Sequence, residues 1–115
     1  MHKDWTALTA TLSEEMAKVR QGIPETTKAF SALAAAATAE GALDAKTKEL
    51  VALAIAIAVR CDGCIGFHAK AACRHKASRA EVMETIGMAI YMGGGPSFIY
   101  GAQALEAFDQ FAGAA

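Results

Sequence analysis

The segment DAKTKELVALAIAIAVRCDGCIGFH, residues 44–68, decides the fold class. Asp44 is followed by a polar turn and then by bulky apolar residues interleaved with alanine. Aspartate is a favoured N-cap and alanine is the best helix former, so we predict a helix over residues 45–60. Its second half is apolar on all sides, which predicts a central and buried helix. The apolar run from Leu50 to Val59 is too short for a membrane span, which needs about 20 residues.

Upstream of this helix, Asp4 is a candidate N-cap for a first helix that reaches about Arg20. Pro24 suits the first turn of a second helix, in which we expect Phe30 and Leu33 to face inward.

Downstream, a helix from about residues 61–63 to about Lys76 carries the two cysteines. Ser78 and Glu81 form a capping box that opens a helix over residues 79–92. Three glycines end that helix and Pro96 starts the last one, whose aromatic residues are expected in the core: Phe98, Tyr100 and Phe108. The chain is therefore predicted to be all-α, with about six helices in a single domain over residues 1–115.

Composition narrows the class of protein. Of the 115 residues, 54% are apolar and 20% are charged, which is typical of a globular chain rather than a disordered one. The net charge of −1 and the lack of a basic patch argue against nucleic acid as a partner. The apolar fraction is high for so short a chain, so we expect part of it in a subunit interface. No membrane span or signal-peptide core is visible, which predicts a cytoplasmic protein.

Cys61 and Cys64 carry the chemistry. Cysteines three positions apart at a helix start lie close enough to form a disulfide, with Cα atoms roughly 5–6 Å apart. The unpaired N–H groups and partial positive charge of a helix N-terminus favour the thiolate, which is the nucleophilic form of cysteine. His68 follows Cys64 by four residues and so shares its helix face. An imidazole there can take the thiol proton or stabilise the thiolate.

These groups predict a peroxide-reducing cycle. The Cys64 thiolate attacks the O–O bond and becomes a sulfenic acid, and Cys61 condenses with it to a disulfide. An external dithiol then reduces the disulfide by exchange. The cycle needs no metal and no organic cofactor. The other candidates have structural interpretations: Cys73 lies about half a turn off the Cys64 face and is expected to pack, while His2 and His75 are expected on the surface.

At these residues the sequence resembles the AhpD-like alkylhydroperoxidase branch of the carboxymuconolactone decarboxylase superfamily. That branch is marked by a Glu, eleven residues, Cys-x-x-Cys and a His four residues on, which Glu49, Cys61, Cys64 and His68 match. The likeness extends over roughly residues 25–110 and includes the glycines and proline at 93–96. It implies an all-helical homo-oligomer, often a trimer or a hexamer.

The resemblance also implies roles for the site residues. Cys64 would be the peroxidatic cysteine, Cys61 the resolving cysteine that meets the reductant, and Glu49 part of a proton relay. Spacing alone does not give the role of Glu49, because twelve residues of straight helix span about 18 Å. Glu49 reaches the site only if the next helix folds back or a neighbouring subunit contributes. Otherwise it is a first-turn Glu that favours the helix dipole.

The sequence departs from the family at two places. Well-described members carry a His between the cysteines, where this chain has Asp62 and Gly63. This departure argues against strong peroxidase activity, although Asp62 could cap the helix or handle protons. Where relatives often end the motif helix with Gly, this chain has Lys76, which must adopt a left-handed conformation or another geometry.

Three other functions stay open. Cys61, Cys64 and His68 could bind zinc with Cys73 or His75, although the helical phase of Cys73 opposes this. A carboxymuconolactone-type decarboxylase would not need the cysteine pair. A general disulfide oxidoreductase or redox-sensing protein would use the same dithiol with little peroxide turnover.

Overall fold

The computed structural model describes residues 2–114, and these form six α-helices joined by short turns. They are α1 (Trp5–Gly22), α2 (Pro24–Thr38), α3 (Ala45–Ala58), α4 (Asp62–Arg74), α5 (Arg79–Gly93) and α6 (Gly95–Ala114). The prediction of an all-α chain with about six helices is confirmed. Within residues 2–114, no helix is both long enough and apolar enough to cross a bilayer.

Helices α3 to α6 form the centre of the molecule. α4 and α5 each pack against both α3 and α6. The core between them includes Leu53 and Ile57 of α3, Ile65 of α4 and Val82 of α5, all without solvent exposure. The core therefore fixes the relative position of α3 and α4, which carry the candidate site residues.

The helix starts follow the predicted caps. The Asp44 side chain accepts a hydrogen bond from the Thr47 N–H at 2.8 Å, and Asp4 caps α1 in the same way. Ser78 and Glu81 form both hydrogen bonds of a capping box. Each side chain satisfies a backbone N–H that has no partner within its helix, so local sequence sets these boundaries.

Two helices end on residues with left-handed backbones that are not glycine. Arg60 has a φ of 59° after α3, and Lys76 has a φ of 63° after α4. After α3, the Arg60 N–H bonds to the Ile57 carbonyl and the Cys61 N–H to the Ala56 carbonyl, which is a Schellman motif. The same arrangement follows α4. The expectation of a left-handed Lys76 is confirmed.

Helix α1 lies against α4 through two small residues of α4. A Cβ atom added to Gly66 would lie 2.7 Å from the Thr9 methyl and 3.3 Å from the Trp5 ring. One added to Gly63 would lie 2.9 Å from Leu12. The glycines allow α1 to approach the start of α4 closely, and Trp5 is completely buried as a result.

Several residues expected inside lie outside in the single chain. Phe30 and Leu33 of α2 are 68% and 62% exposed, so the prediction that they face inward is wrong. Phe98 is also exposed, whereas Phe108 is buried and Tyr100 packs against the core. Helix α3 is not buried all round, because Val51 and Ile55 face away from the other helices. Helical periodicity identifies an apolar face but not what covers it.

The close contact at Gly66 predicts a stability difference between two helical glycines. Gly66→Ala should lower the free energy of unfolding by about 1–3 kcal/mol, because Thr9 and Trp5 are buried and cannot move away. Gly87→Ala should raise it by up to about 1 kcal/mol, since that glycine is exposed with open space beside it. Urea unfolding of both variants measures the difference, and equal stabilities would contradict this packing.

Candidate active site

The turn between α3 and α4 places Cys61 at the start of α4. The Schellman motif ends α3 at Arg60, and Cys61 then takes an extended backbone as the N-cap of α4. Its sulfur accepts a hydrogen bond from the Cys64 N–H at 3.2 Å. Cysteine is an unusual N-cap, since serine, threonine, aspartate and asparagine normally hold this position. The sulfur thus occupies the place where a helix presents its unpaired donors.

Cys61 and Cys64 are close enough to be bonded. Their Cα atoms are 5.2 Å apart and their sulfur atoms lie at disulfide distance. This separation falls within the range found in protein disulfides. Both residues are half-buried, so the pair is neither sealed in the core nor fully solvated. The disulfide bond between them can therefore form and break without a large change in the backbone.

The electrostatic environment of the pair favours a thiolate when the disulfide is open. Cys61 is the N-cap of α4 and Cys64 lies in its first turn, where N–H groups and the helix dipole create a positive potential. A helix N-terminus is one of the settings that lower the pKa of a cysteine thiol.

Glu49 and His68 meet across the interface of α3 and α4. The Glu49 carboxylate lies 2.8 Å from Nδ1 of His68. A carboxylate only accepts hydrogen bonds, so Nδ1 carries the proton and donates it. The neutral ring then has its lone pair on Nε2, which can receive another proton. His68 lies one helical turn beyond Cys64 on α4.

Glu49 lies beside a site residue of α4, which its spacing in the sequence could not show. α4 folds back along α3, and this brings Glu49 next to His68, whereas a straight helix would hold these two residues roughly 28 Å apart. Glu49 lies in the second turn of α3 rather than in the first, and it is only 7% exposed. The alternative that Glu49 is a first-turn residue favouring the helix dipole is therefore wrong.

Asp62 does not cap α4, because Cys61 holds that position. The Asp62 carboxylate instead accepts a hydrogen bond at 2.6 Å from the Lys3 ammonium group, which comes from the N-terminal segment. The sequence gives no indication of this contact. The two residues are 59 positions apart, and no local pattern connects them.

The remaining cysteine and histidines lie apart from the pair. Cys73 packs against the core and its thiol donates to the Phe108 carbonyl. Burial, and then the nearby Asp109 carboxylate, raise the pKa of Cys73, which makes it a poor nucleophile. His2 is exposed as expected, whereas His75 is half-buried at the C-cap of α4. Across residues 2–114, no three His, Cys, Asp or Glu side chains converge as a set of metal ligands.

Solved structures with the same fold support the architecture. The apo form of a carboxymuconolactone decarboxylase family protein from Legionella pneumophila is 52% identical, with a TM-score of 0.92 over 94% of this chain and 96% of that one. A Thermotoga maritima protein of the same family is 28% identical, with a TM-score of 0.80 over 89% of this chain and 87% of that one. Its description suggests a part for that protein in the antioxidative response.

Curated relatives have similar lengths. An uncharacterized protein of Cupriavidus necator is 39% identical over 85% of this chain and 87% of its own length. A protein encoded in the cox locus of Paracoccus denitrificans, also uncharacterized, is 40% identical over 75% of this chain and 78% of its own. The model of the carboxymuconolactone decarboxylase family matches residues 24–107, which include Glu49, both cysteines of the pair and His68. The chain belongs to the carboxymuconolactone decarboxylase family.

Proposed function

We propose that this protein is a thiol-dependent peroxidase that cycles through a disulfide between Cys61 and Cys64. The observation that carries the proposal is the cysteine pair itself. The two sulfurs lie at disulfide distance at the start of α4, where Cys61 is the N-cap and Cys64 is in the first turn, and His68 lies one turn beyond Cys64. The family match and the antioxidative role suggested for the Thermotoga protein support the same reading.

The first half of the cycle oxidises Cys64. Its thiolate attacks one oxygen of the peroxide and the O–O bond breaks. One oxygen becomes the sulfenic acid of Cys64, and the other leaves as an alcohol or water after it gains a proton. Cys64 is assigned this step because His68 shares its helix face, whereas Cys61 occupies the N-cap.

The second half restores the dithiol. The Cys61 sulfur attacks the sulfenic acid, a disulfide forms and water leaves. An external dithiol then transfers two electrons and two protons by thiol–disulfide exchange and is itself oxidised to a disulfide. The half-buried position of the pair leaves room for such a reductant to approach.

His68 and Glu49 act as a proton relay in this proposal. His68 receives the Cys64 proton and returns it to the leaving oxygen. The buried Glu49 carboxylate accepts a hydrogen bond from Nδ1 of the imidazole, which fixes the ring orientation and leaves Nε2 to exchange the proton.

We also propose that the protein works as a homo-oligomer, a trimer or a hexamer. A single chain leaves many large apolar side chains exposed, and exposed apolar surface is a common sign of a protein–protein interface. One such surface joins the second half of α1 to α2 and includes Met16, Val19, Ile23, Phe30 and Leu33. Tyr91, Met92, Phe98 and Ile99 are exposed around the junction of α5 and α6.

A disulfide oxidoreductase with little peroxide turnover is the second candidate. The observation in its favour is the pair of residues between the cysteines, Asp62 and Gly63, where well-described peroxidases of this family have a histidine. The same dithiol serves both functions, so only turnover separates them. A decarboxylase remains the third candidate, and turnover of a carboxylated lactone without peroxide consumption would establish it.

The cysteine arrangement predicts how many thiols mild oxidation removes. Reduced protein should titrate three thiols per chain after denaturation, and oxidised protein one, because Cys73 has no bonded partner in the described structure. Peptide mapping should then find Cys61 joined to Cys64. Three thiols after oxidation would exclude the cycle.

The assignment of the two cysteines predicts different failures for their variants. Cys64→Ser should abolish peroxide consumption driven by a dithiol reductant. Cys61→Ser should still form a sulfenic acid, which dimedone can trap, but should stall before recycling. Cys73→Ser is the matched control and should keep wild-type turnover. The proposal fails if all three variants consume peroxide at the same rate.

The relay predicts graded losses from substitution. His68→Ala should slow peroxide turnover by roughly 100-fold or more, the usual contribution of a general base. It should also shift the pH profile of Cys64 alkylation to higher pH. Glu49→Gln should cause a smaller loss, because the imidazole stays but loses its charged partner. His75→Ala, on the same helix, is the control. An unchanged alkylation profile in His68→Ala would remove His68 from the mechanism.

A further inference from the structure

The N-terminal segment, residues 2–4, is attached to α6 by a set of hydrogen bonds. The Lys3 N–H donates to Glu106 at 2.9 Å, and the Lys3 carbonyl accepts from Gln110 at 2.7 Å. The Trp5 indole donates to the same Glu106 carboxylate at 2.9 Å. Burial alone would raise the pKa of Glu106, but the N–H donors of His2, Lys3 and Trp5 outweigh it and the pKa is lowered. The backbone of Lys3 is therefore held in place from both sides.

This attachment directs the Lys3 side chain to the start of α4. Its ammonium group donates to Asp62 at 2.6 Å and to Gln103 of α6 at 2.7 Å. It also lies 5.4 Å from the centre of the Trp5 ring, within the range of a cation–π contact. The Lys3 side chain is only 28% exposed. A lysine held by three such partners is not an ordinary mobile surface cation.

Asp62 lies between the two cysteines in the first turn of α4. An unpaired carboxylate there would oppose the negative charge that forms on a cysteine thiolate. It would also partly cancel the positive potential of the helix N-terminus. A positive charge that neutralises Asp62 therefore favours the thiolate form of both cysteines.

We propose that Lys3 is a positioning residue that neutralises Asp62 and so keeps the Cys61–Cys64 pair reactive. This inference rests on the dithiol of the proposed function, but not on which oxidant that dithiol meets. Reduction of the disulfide adds two electrons and two protons, and loss of one proton then gives the thiolate. Lys3 stabilises that reduced form, which makes the disulfide easier for a given dithiol to reduce.

Other charged groups surround the pair and leave this role to Lys3. Glu49 of α3 is engaged with His68 of α4. Asp4, the N-cap of α1, lines the same cleft as Asp62 and adds a second negative charge there. Glu106 of α6 is occupied by N–H donors, and Arg60, next to Cys61, is exposed on a left-handed turn. Asp4 and Asp62 thus both place negative charge beside the start of α4, and the Lys3 ammonium group offsets it.

A charge cycle tests the proposal with four variants: Lys3→Gln, Asp62→Asn, the double variant, and Lys3→Arg. Two readouts are measured with Cys73 replaced by Ser: the pH profile of thiol alkylation and the redox equilibrium with dithiothreitol. Lys3→Gln should shift the alkylation profile upward by about half a pH unit, which is roughly a threefold loss of thiolate at pH 7. Its disulfide should become harder to reduce.

The other variants show whether charge is the cause. Asp62→Asn should shift both readouts in the opposite direction, and the double variant should return close to the wild type. Lys3→Arg should preserve the wild-type values. In 1 M salt the difference between Lys3→Gln and the wild type should shrink, because screening weakens an exposed charge. Lys18→Gln, which removes an exposed ion pair of α1, is the control and should change nothing.

Two results would overturn the proposal. One is that Lys3→Gln lowers thermal stability but leaves both readouts unchanged, which is the signature of a structural role. The other is that the effects of Lys3→Gln and Asp62→Asn have the same sign. Neither readout involves peroxide, so failure of the peroxidase proposal would appear separately, as missing turnover in a wild-type protein whose charge cycle behaves as described.

Discussion

The reversal of the chain at Arg60 is the constraint on which the site depends. Its left-handed backbone closes the Schellman motif that ends α3 and sends α4 back along α3. The same turn makes Cys61 the N-cap, so one local geometry places a sulfur at the helix tip. It also brings Glu49 within 2.8 Å of His68. A non-glycine residue in this region costs about 1–2 kcal/mol, which the core packing of α3 against α4 must offset.

The site combines two kinds of support for a sulfur anion. The first is the helix N-terminus, which is fixed by the backbone and independent of pH. The second is a pair of contacts between side chains, Glu49 with His68 and Lys3 with Asp62, on elements that meet only in the folded chain. The helix N-terminus favours the thiolate in general. In the proposed cycle, the Glu49–His68 contact handles the thiol proton and the Lys3–Asp62 contact sets how strongly a nearby carboxylate opposes the thiolate.

Much of the fold follows from the sequence because its signals are local. Asp44, Ser78 and Glu81 cap the helices as their positions predict, and Lys76 adopts the left-handed backbone that a missing glycine demands. The sequence predicted that Glu49 would reach the site only if α4 folds back along α3 or a neighbouring subunit contributes. The contact of Lys3 with Asp62 had no local signal at all. The prediction for Phe30 was wrong because periodicity identifies an apolar face but not whether the rest of the chain covers it.

The residues between the two cysteines bring a carboxylate to the start of α4. These residues are Asp62 and Gly63, and the helix N-terminus that holds the cysteine pair therefore also holds a negative charge. A carboxylate there would oppose a thiolate, and the opposite charge that contacts it is the Lys3 ammonium group of the N-terminal segment. Gly63 lies beside α1, where an added Cβ atom would lie 2.9 Å from a terminal methyl group of the half-buried Leu12 side chain. A larger residue at position 63 would therefore require the Leu12 side chain to move, which the cleft lined by both residues allows.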